Sequence, residues 1–116
     1  MSAKDQTKHQ FLVHQAQCAR LENRLDEAVQ FLAEAFSLNP QSIPALKEKA
    51  LLHQQRNQWS ESRRCLELIL SEQPENPQIL NALGHTWQAE GDFIKALEFW
   101  RLGVANENPI CLKYLR

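Results

Sequence analysis

Two side chains with metal-binding chemistry lie close together near the start of the chain. His14 and Cys18 are four residues apart, so a helix would place both on one face, with His9 nearby. A structural zinc site needs four ligands, and no second pair of Cys or His completes this set. Since free cysteine behaves as a small apolar side chain, we predict that Cys18 and Cys65 pack in the core. The sequence therefore predicts no metal site and no cofactor.

The sequence contains no motif of a known catalytic centre: no GxGxxG, P-loop, HExxH or GxSxG occurs. Three tryptophans, Trp59, Trp87 and Trp100, could stack on nucleic-acid bases. However, 13 Lys and Arg against 14 Asp and Glu leave a net charge of −1 and no basic stripe between them. The one basic pair, Arg63 and Arg64, is expected on a solvated face. We therefore predict a protein that is not an enzyme and binds no nucleic acid.

Length and composition narrow the fold and the compartment. A chain of 116 residues makes one domain, and only 3 Gly and 5 Pro argue against sandwiches and barrels. No apolar run is long enough to span a membrane, and residues 1–10 lack the apolar region of a signal peptide. The three cysteines are widely spaced and odd in number, which argues against disulfides. These features predict a cytoplasmic protein that is not in a membrane.

The elements that would position these side chains follow from an internal repeat. Each repeat predicts two helices, with Pro44 and Pro77 at the starts of first helices and N-caps at Asp26 and Ser60. Gly91 would end a helix in the left-handed conformation. Four sets of residues recur at intervals of 34: Leu12, Leu46 and Leu80; Ala16, Ala50 and Gly84; Ala28, Ser62 and Ala96; Leu32, Leu66 and Trp100.

These small and large residues, with Pro40, Pro74 and Pro109 closing each unit, resemble the tetratricopeptide repeat family. Gln15, Lys49, His53 and Ser62 depart from the family pattern, and the second unit departs most. The resemblance implies an all-α solenoid of three helix-turn-helix repeats in a single domain, residues 1–116. The expected repeats are about 9–42, 43–76 and 77–110, followed by a short helical remnant at 111–116.

The resemblance also implies a function, since first helices of this family line a concave groove that holds a peptide. These positions lie opposite the Ala and Leu stripe of each first helix, so they should face water. We therefore expect a protein-binding scaffold, although the same residues could simply be the polar face of amphipathic helices. The implied groove residues are Gln10, Val13, Gln17, Arg20, Lys47, Leu51, Gln54, Gln78, Asn81, His85 and Gln88.

One known ligand of the family is not expected here. Co-chaperones of this family grip the terminal carboxylate of heat-shock chaperones with Lys, Asn and Arg at five positions. This chain has Val13, Gln17, Glu48, Gln78 and Ala82 there, without a cation and with one repelling carboxylate. The sequence therefore predicts no binding of such a tail.

Three further hypotheses concern the rest of the chain. The short segment after Pro109 favours an N-terminal module of a larger polypeptide, which could include an enzyme. A three-repeat secretion chaperone is another reading, although it would favour a more apolar groove. Phe99 and Leu102 are expected to face a missing fourth unit beside Cys111, Leu112, Tyr114 and Leu115. This end predicts a symmetric homodimer, with a folded-back tail and a monomer as the alternative.

Overall fold

The computed structural model describes residues 2–105, and the side chains of residues 2–103. This part of the chain consists of helices joined by short turns and contains no strand, which confirms the all-α helical repeat. The six helices are α1 (Ala3–Leu21), α2 (Leu25–Leu38), α3 (Ile43–Gln55), α4 (Trp59–Glu72), α5 (Pro77–Ala89) and α6 (Phe93–Ala105). They pack as pairs, α1 with α2, α3 with α4 and α5 with α6, and the pairs stack in chain order.

The turn within each pair is built in the same way three times. Asn23, Asn57 and Gly91 have positive φ angles of 62°, 58° and 86°, at intervals of 34 residues. The left-handed conformation ends the first helix and reverses the chain, as predicted for Gly91. Asp26 and Ser60 are not N-caps, however, because α2 and α4 begin at Leu25 and Trp59, one residue earlier.

The first helices begin at side-chain caps. Ser42 Oγ accepts a hydrogen bond from the Ala45 N–H of α3 at 3.2 Å, and Asn76 Oδ1 accepts from the Gln78 N–H of α5 at 3.0 Å. Pro44 and Pro77 lie in the first turns of these helices, where a proline leaves no hydrogen bond unmade. The predicted starts of the first helices are therefore confirmed.

The core follows the repeated small and large residues. Leu32, Leu66 and Trp100 are 4%, 3% and 5% exposed, so their predicted place in the core is confirmed. Gly84 allows the closest approach, since a Cβ there would lie 2.6 Å from Trp100 Cδ1. Small residues at this position let the helices of a pair approach while a large side chain fills the space beside them.

Three predictions about individual side chains are wrong. Phe99 does not face a following unit but packs against the cluster that contains Leu66 and Leu83. Arg63 is not solvated but buried, with 9% of its surface exposed. Cys65 is buried, as predicted, and its burial raises the pKa of the thiol, but Cys18 is only half-buried.

The expected remnant at 111–116 lies outside the described residues. The repeat boundaries at 9–42, 43–76 and 77–110 stay an expectation, although α3 and α5 begin at Ile43 and Pro77. In the part of the chain that the structure describes, no helix is long and apolar enough to cross a membrane.

Candidate peptide-binding groove

The predicted groove residues lie on one side of the first helices, and each is at least partly exposed to water. Nine of the eleven line two cavities: Gln10, Val13 and Gln17 line one, and Lys47, Leu51, Gln54, Gln78, Asn81 and His85 line the other. Arg20 and Gln88 line neither cavity. The spacing of these residues thus brings most of them together, but in two places rather than along one continuous surface.

The second of these, which we call the groove cavity, lies between α3 and α5 and has a volume of about 330 Å³. It opens because α5 packs against α6 and α4 and stands away from α3. Its floor is apolar and consists of Ala50, Leu66, Ile79 and Ala82, while amides, Lys47 and His85 lie around it. An apolar floor with a few polar groups at the edge is the usual composition of a ligand site.

Sequence reasoning missed this floor, because core positions of the repeat were interpreted only as packing residues. The presence of Ala82 in the sequence could have indicated this apolar floor. Ala82 occupies the position of Glu48 one repeat later, and a small side chain there leaves room between α3 and α5. Leu66 thus serves both the core and the floor of the cavity.

The first cavity is lined mainly by polar residues and has a volume of about 370 Å³ between α1 and the turn that precedes α3. At its edge, His9 Nε2 lies 2.7 Å from Ser42 Oγ, and both side chains are buried. Because Ser42 also caps α3, this hydrogen bond ties α1 to the start of the second unit. Most of the side chains that line the cavity can form hydrogen bonds, and only Val13 and Pro44 are apolar.

Arg20 is held by its neighbours rather than presented to the groove. Its Nε donates to Glu48 Oε2 at 2.8 Å, and its Nη1 donates to Gln55 Oε1 at 3.1 Å. The side chains of Arg20 and Glu48 are only 13% and 11% exposed. The guanidinium therefore neutralises the carboxylate that the sequence suggested would repel an acidic ligand, and it joins α1 to α3.

Because Arg20 and Glu48 neutralise each other, the charge of the groove comes mainly from Lys47. Lys47 lines the groove cavity, and within residues 2–103 it forms no ion pair. The first helix of the third unit, α5, carries no Asp, Glu, Lys or Arg at all. The groove cavity can therefore hold an apolar side chain, hydrogen-bond a peptide backbone through its amides, and attract one acidic group.

The residues with metal-binding chemistry do not form a metal site in the described part of the chain. His14 Nε2 lies 3.6 Å from Cys18 Sγ, but no group of three or more potential ligands occurs in that part.

The sequence matches the tetratricopeptide repeat family over residues 19–86, more than half of the chain. The chain belongs to this family. A tetratricopeptide fold is commonly a protein–protein interaction module and generally a non-catalytic scaffold, although it also occurs as part of some enzymes. A search of curated proteins finds no match to the sequence.

Solved structures share the fold at low sequence identity. The N-terminal domain of stress-induced protein-1 from C. elegans matches with a TM-score of 0.80 and 15% identity, over 98% of this chain and 95% of that domain. The first tetratricopeptide domain of Spaghetti, bound to an HSP90 peptide, matches with a TM-score of 0.75 and 12% identity, over 94% of each chain.

The MamA protein matches with a TM-score of 0.77 and 14% identity, over 85% of this chain and 54% of MamA. The chain therefore spans about half the length of the MamA structure that it matches. At these identities the likeness extends to the fold alone.

Proposed function

We propose that this protein is a non-enzymatic scaffold that binds an extended peptide segment of a partner protein in the groove. An apolar side chain of the peptide enters the groove cavity, and an acidic group beside it pairs with Lys47. The observation that carries this proposal is the apolar floor between α3 and α5, bordered by amides and a cation without an acidic partner among the described residues. The family supports the class of ligand, since its members commonly bind proteins or peptides.

Selection from a library of random peptides displayed on phage tests this proposal. The enriched peptides should share an apolar residue next to Asp or Glu. Ala82→Phe fills the groove cavity and Lys47→Glu reverses its charge, so each should weaken a selected peptide about tenfold, which is about 1.4 kcal/mol. Arg64→Glu, an exposed charge change on α4, is the matched control.

Two results would contradict the groove proposal. One is selection of peptides that bind the Ala82→Phe variant as tightly as the original chain. The other is a selection in which no peptide is enriched over a control selection without the chain as target.

The terminal peptide of HSP90, which the Spaghetti domain binds, is not the expected ligand here. The five positions of the carboxylate clamp hold Val13, Gln17, Glu48, Gln78 and Ala82. Glu48 is already paired with Arg20, so this pair offers no free cation to a terminal carboxylate. Calorimetry with the HSP90 peptide at about 100 μM should give no binding heat, and a micromolar Kd would contradict this prediction.

The second candidate function is the same groove within a larger polypeptide. It is favoured by the MamA comparison, in which the matched region is 54% of the longer chain. A peptide selected by the isolated chain should then bind a longer natural protein with the same dependence on Ala82 and Lys47.

The homodimer through the C-terminal end also stays a prediction, and part of that end lies outside the described residues. With Phe99 packed inward, Phe93, Ile94 and Leu102 are the large exposed apolar side chains of the described part of α6, at 59%, 75% and 52%. Light scattering should give about twice the monomer mass of 13.5 kDa. A mass of one chain at about 100 μM would eliminate the dimer.

A further inference from the structure

A third cavity lies on the face of α3 opposite the groove cavity, where the first two units meet. We call it the back cavity, and its volume is about 350 Å³. Leu32 and Leu52, which are almost fully buried, form its base, and Val29 and Phe36 of α2 line one side. Lys49 and His53 of α3 and Arg56, the residue that follows α3, line the other side, so an apolar base is bordered by basic groups.

The junction between the second and third units shows what can fill this space. Trp87 occupies the position of His53 one repeat later, and Arg63 occupies the position of Val29. The Arg63 guanidinium carbon lies 3.8 Å from the centre of the Trp87 ring, and the Lys95 ammonium lies 4.2 Å from it. Arg63 also pairs with Glu90, which occupies the position of Arg56. An aromatic ring, a cation and a carboxylate therefore close the second junction.

The first junction lacks this ring and has the opposite charges. Val29 and His53 leave the space open, and Arg56 stands where the second junction has Glu90, with its guanidinium paired to Asp26 at 2.9 Å. The Lys49 ammonium lies 5.6 Å from the centre of the Phe36 ring at the same cavity. Lys49 and His53 are two of the residues that depart from the family pattern, and both departures line this one cavity.

We propose that the back cavity is a second binding site, which takes an aromatic side chain of a partner peptide with acidic residues beside it. The ring would occupy the space that corresponds to the position of Trp87 in the next junction. Its basic neighbours would be Lys49 and His53 of the first junction. The acidic residues would lie by Lys49, which forms no ion pair within residues 2–103. Charge complementarity thus selects an acidic aromatic segment as the occupant.

The back cavity and the groove are on opposite faces of α3, so this proposal does not depend on the proposed groove function. On α3, Lys47, Leu51 and Gln54 line the groove cavity, whereas Lys49 and His53 line the back cavity. A partner could occupy one, the other or both.

Fluorescence anisotropy with a fluorescein-labelled peptide, Glu-Glu-Trp-Glu-Glu, tests the site. The peptide should bind saturably. The Kd of its Trp-to-Ala version and that of its Glu-to-Lys version should each be at least about tenfold higher. The variant Val29→Arg/His53→Trp/Arg56→Glu copies the second junction onto the first and should abolish binding. Arg64→Glu, a charge reversal at an exposed residue of α4 that lines neither cavity, should leave the affinity unchanged.

Circular dichroism shows whether the triple variant is folded. If it is not, Val29→Glu replaces it as the test of the back cavity. Val29 is 41% exposed, so a carboxylate is tolerated there, yet it would repel the acidic peptide. Peptide binding that survives in a folded triple variant or in Val29→Glu overturns the proposal. Absence of saturable binding to the original chain also overturns it.

Discussion

The two junctions between repeats are closed on opposite faces of the solenoid. The first is joined on the groove face by Arg20 and Glu48, at 2.8 Å, and is open at the back cavity. The second is filled on the back face, where Arg63 and Trp87 stack, and is open at the groove cavity. The same repeat fold thus forms two cavities that open on opposite faces of the solenoid.

The difference arises at a few positions outside the repeated core. Gln54 and Ala82 occupy the positions of Arg20 and Glu48 one repeat later, so the second junction has no such ion pair on the groove face. Residues at the repeated Leu and Ala positions hold the helices of each pair together in the same way. Variation at the remaining contact positions therefore decides where a junction opens, and a binding surface can change without a change of fold.

Trp87→Ala is expected to have the largest effect on stability. It removes the ring that closes the second junction and leaves Arg63 without its stacking partner, at a cost of about 3 kcal/mol. His53→Ala, at the same position of the open junction, should cost less than about 1 kcal/mol, since it loses only a hydrogen bond to Gln58. Equal costs in urea unfolding would show that the two junctions are not closed differently.

Arg20→Gln tests the ion pair that joins the first junction. It leaves the buried carboxylate of Glu48 without its cation and should cost roughly 1–3 kcal/mol. Adding Glu48→Ala reproduces the pair of residues found in the second junction and should recover part of that loss. A double variant no more stable than Arg20→Gln would contradict a stabilising role for the pair, as a double-mutant cycle in urea measures directly.

Gly84→Ala tests the packing beneath the filled junction. Alanine raises helix propensity by about 1 kcal/mol, but its Cβ would lie 2.6 Å from a ring atom of the buried Trp100. Displacing a packed indole costs about 1–3 kcal/mol, so we expect a net loss of roughly 1 kcal/mol. Ala50→Gly, the reverse change at the same position of the second unit, should be destabilising, since it loses helix propensity and the packing of a buried methyl group. A raised Tm for Gly84→Ala would contradict this account.

The sequence predicts the helices, the core and the exposed face of the groove, because these depend on periodic spacing. Leu32 and Leu66 recur at 34 residues, and both are buried as that spacing requires. The buried place of Arg63 could not be predicted in this way. A charged residue on an outer helix is normally solvated, and only the contacts with Trp87 and Glu90 across the junction explain its burial.

The cavities escape the same reasoning for a related physical reason. Spacing along the chain places residues on a face of a helix, but a cavity depends on the distance between neighbouring helices. Arg20 was predicted as a groove cation from its face alone, and its pairing depends on how close α3 stands to α1. A comparison of equivalent positions 34 residues apart does indicate where the helices separate, because Ala82 stands in the third unit where Glu48 stands in the second.

The smallest expected difference separates the two lysines beside aromatic rings. The Lys95 ammonium lies 4.2 Å from the centre of the Trp87 ring, so Lys95→Met should cost about 0.5 kcal/mol, since the site is exposed. The Lys49 ammonium lies 5.6 Å from the centre of the Phe36 ring, beside an open cavity. Lys49→Met loses a weaker attraction and places apolar surface over the cavity, so its net effect should be zero or slightly stabilising. Urea unfolding of both variants decides this: a larger loss for Lys49→Met than for Lys95→Met would mean that the lysine already closes the back cavity.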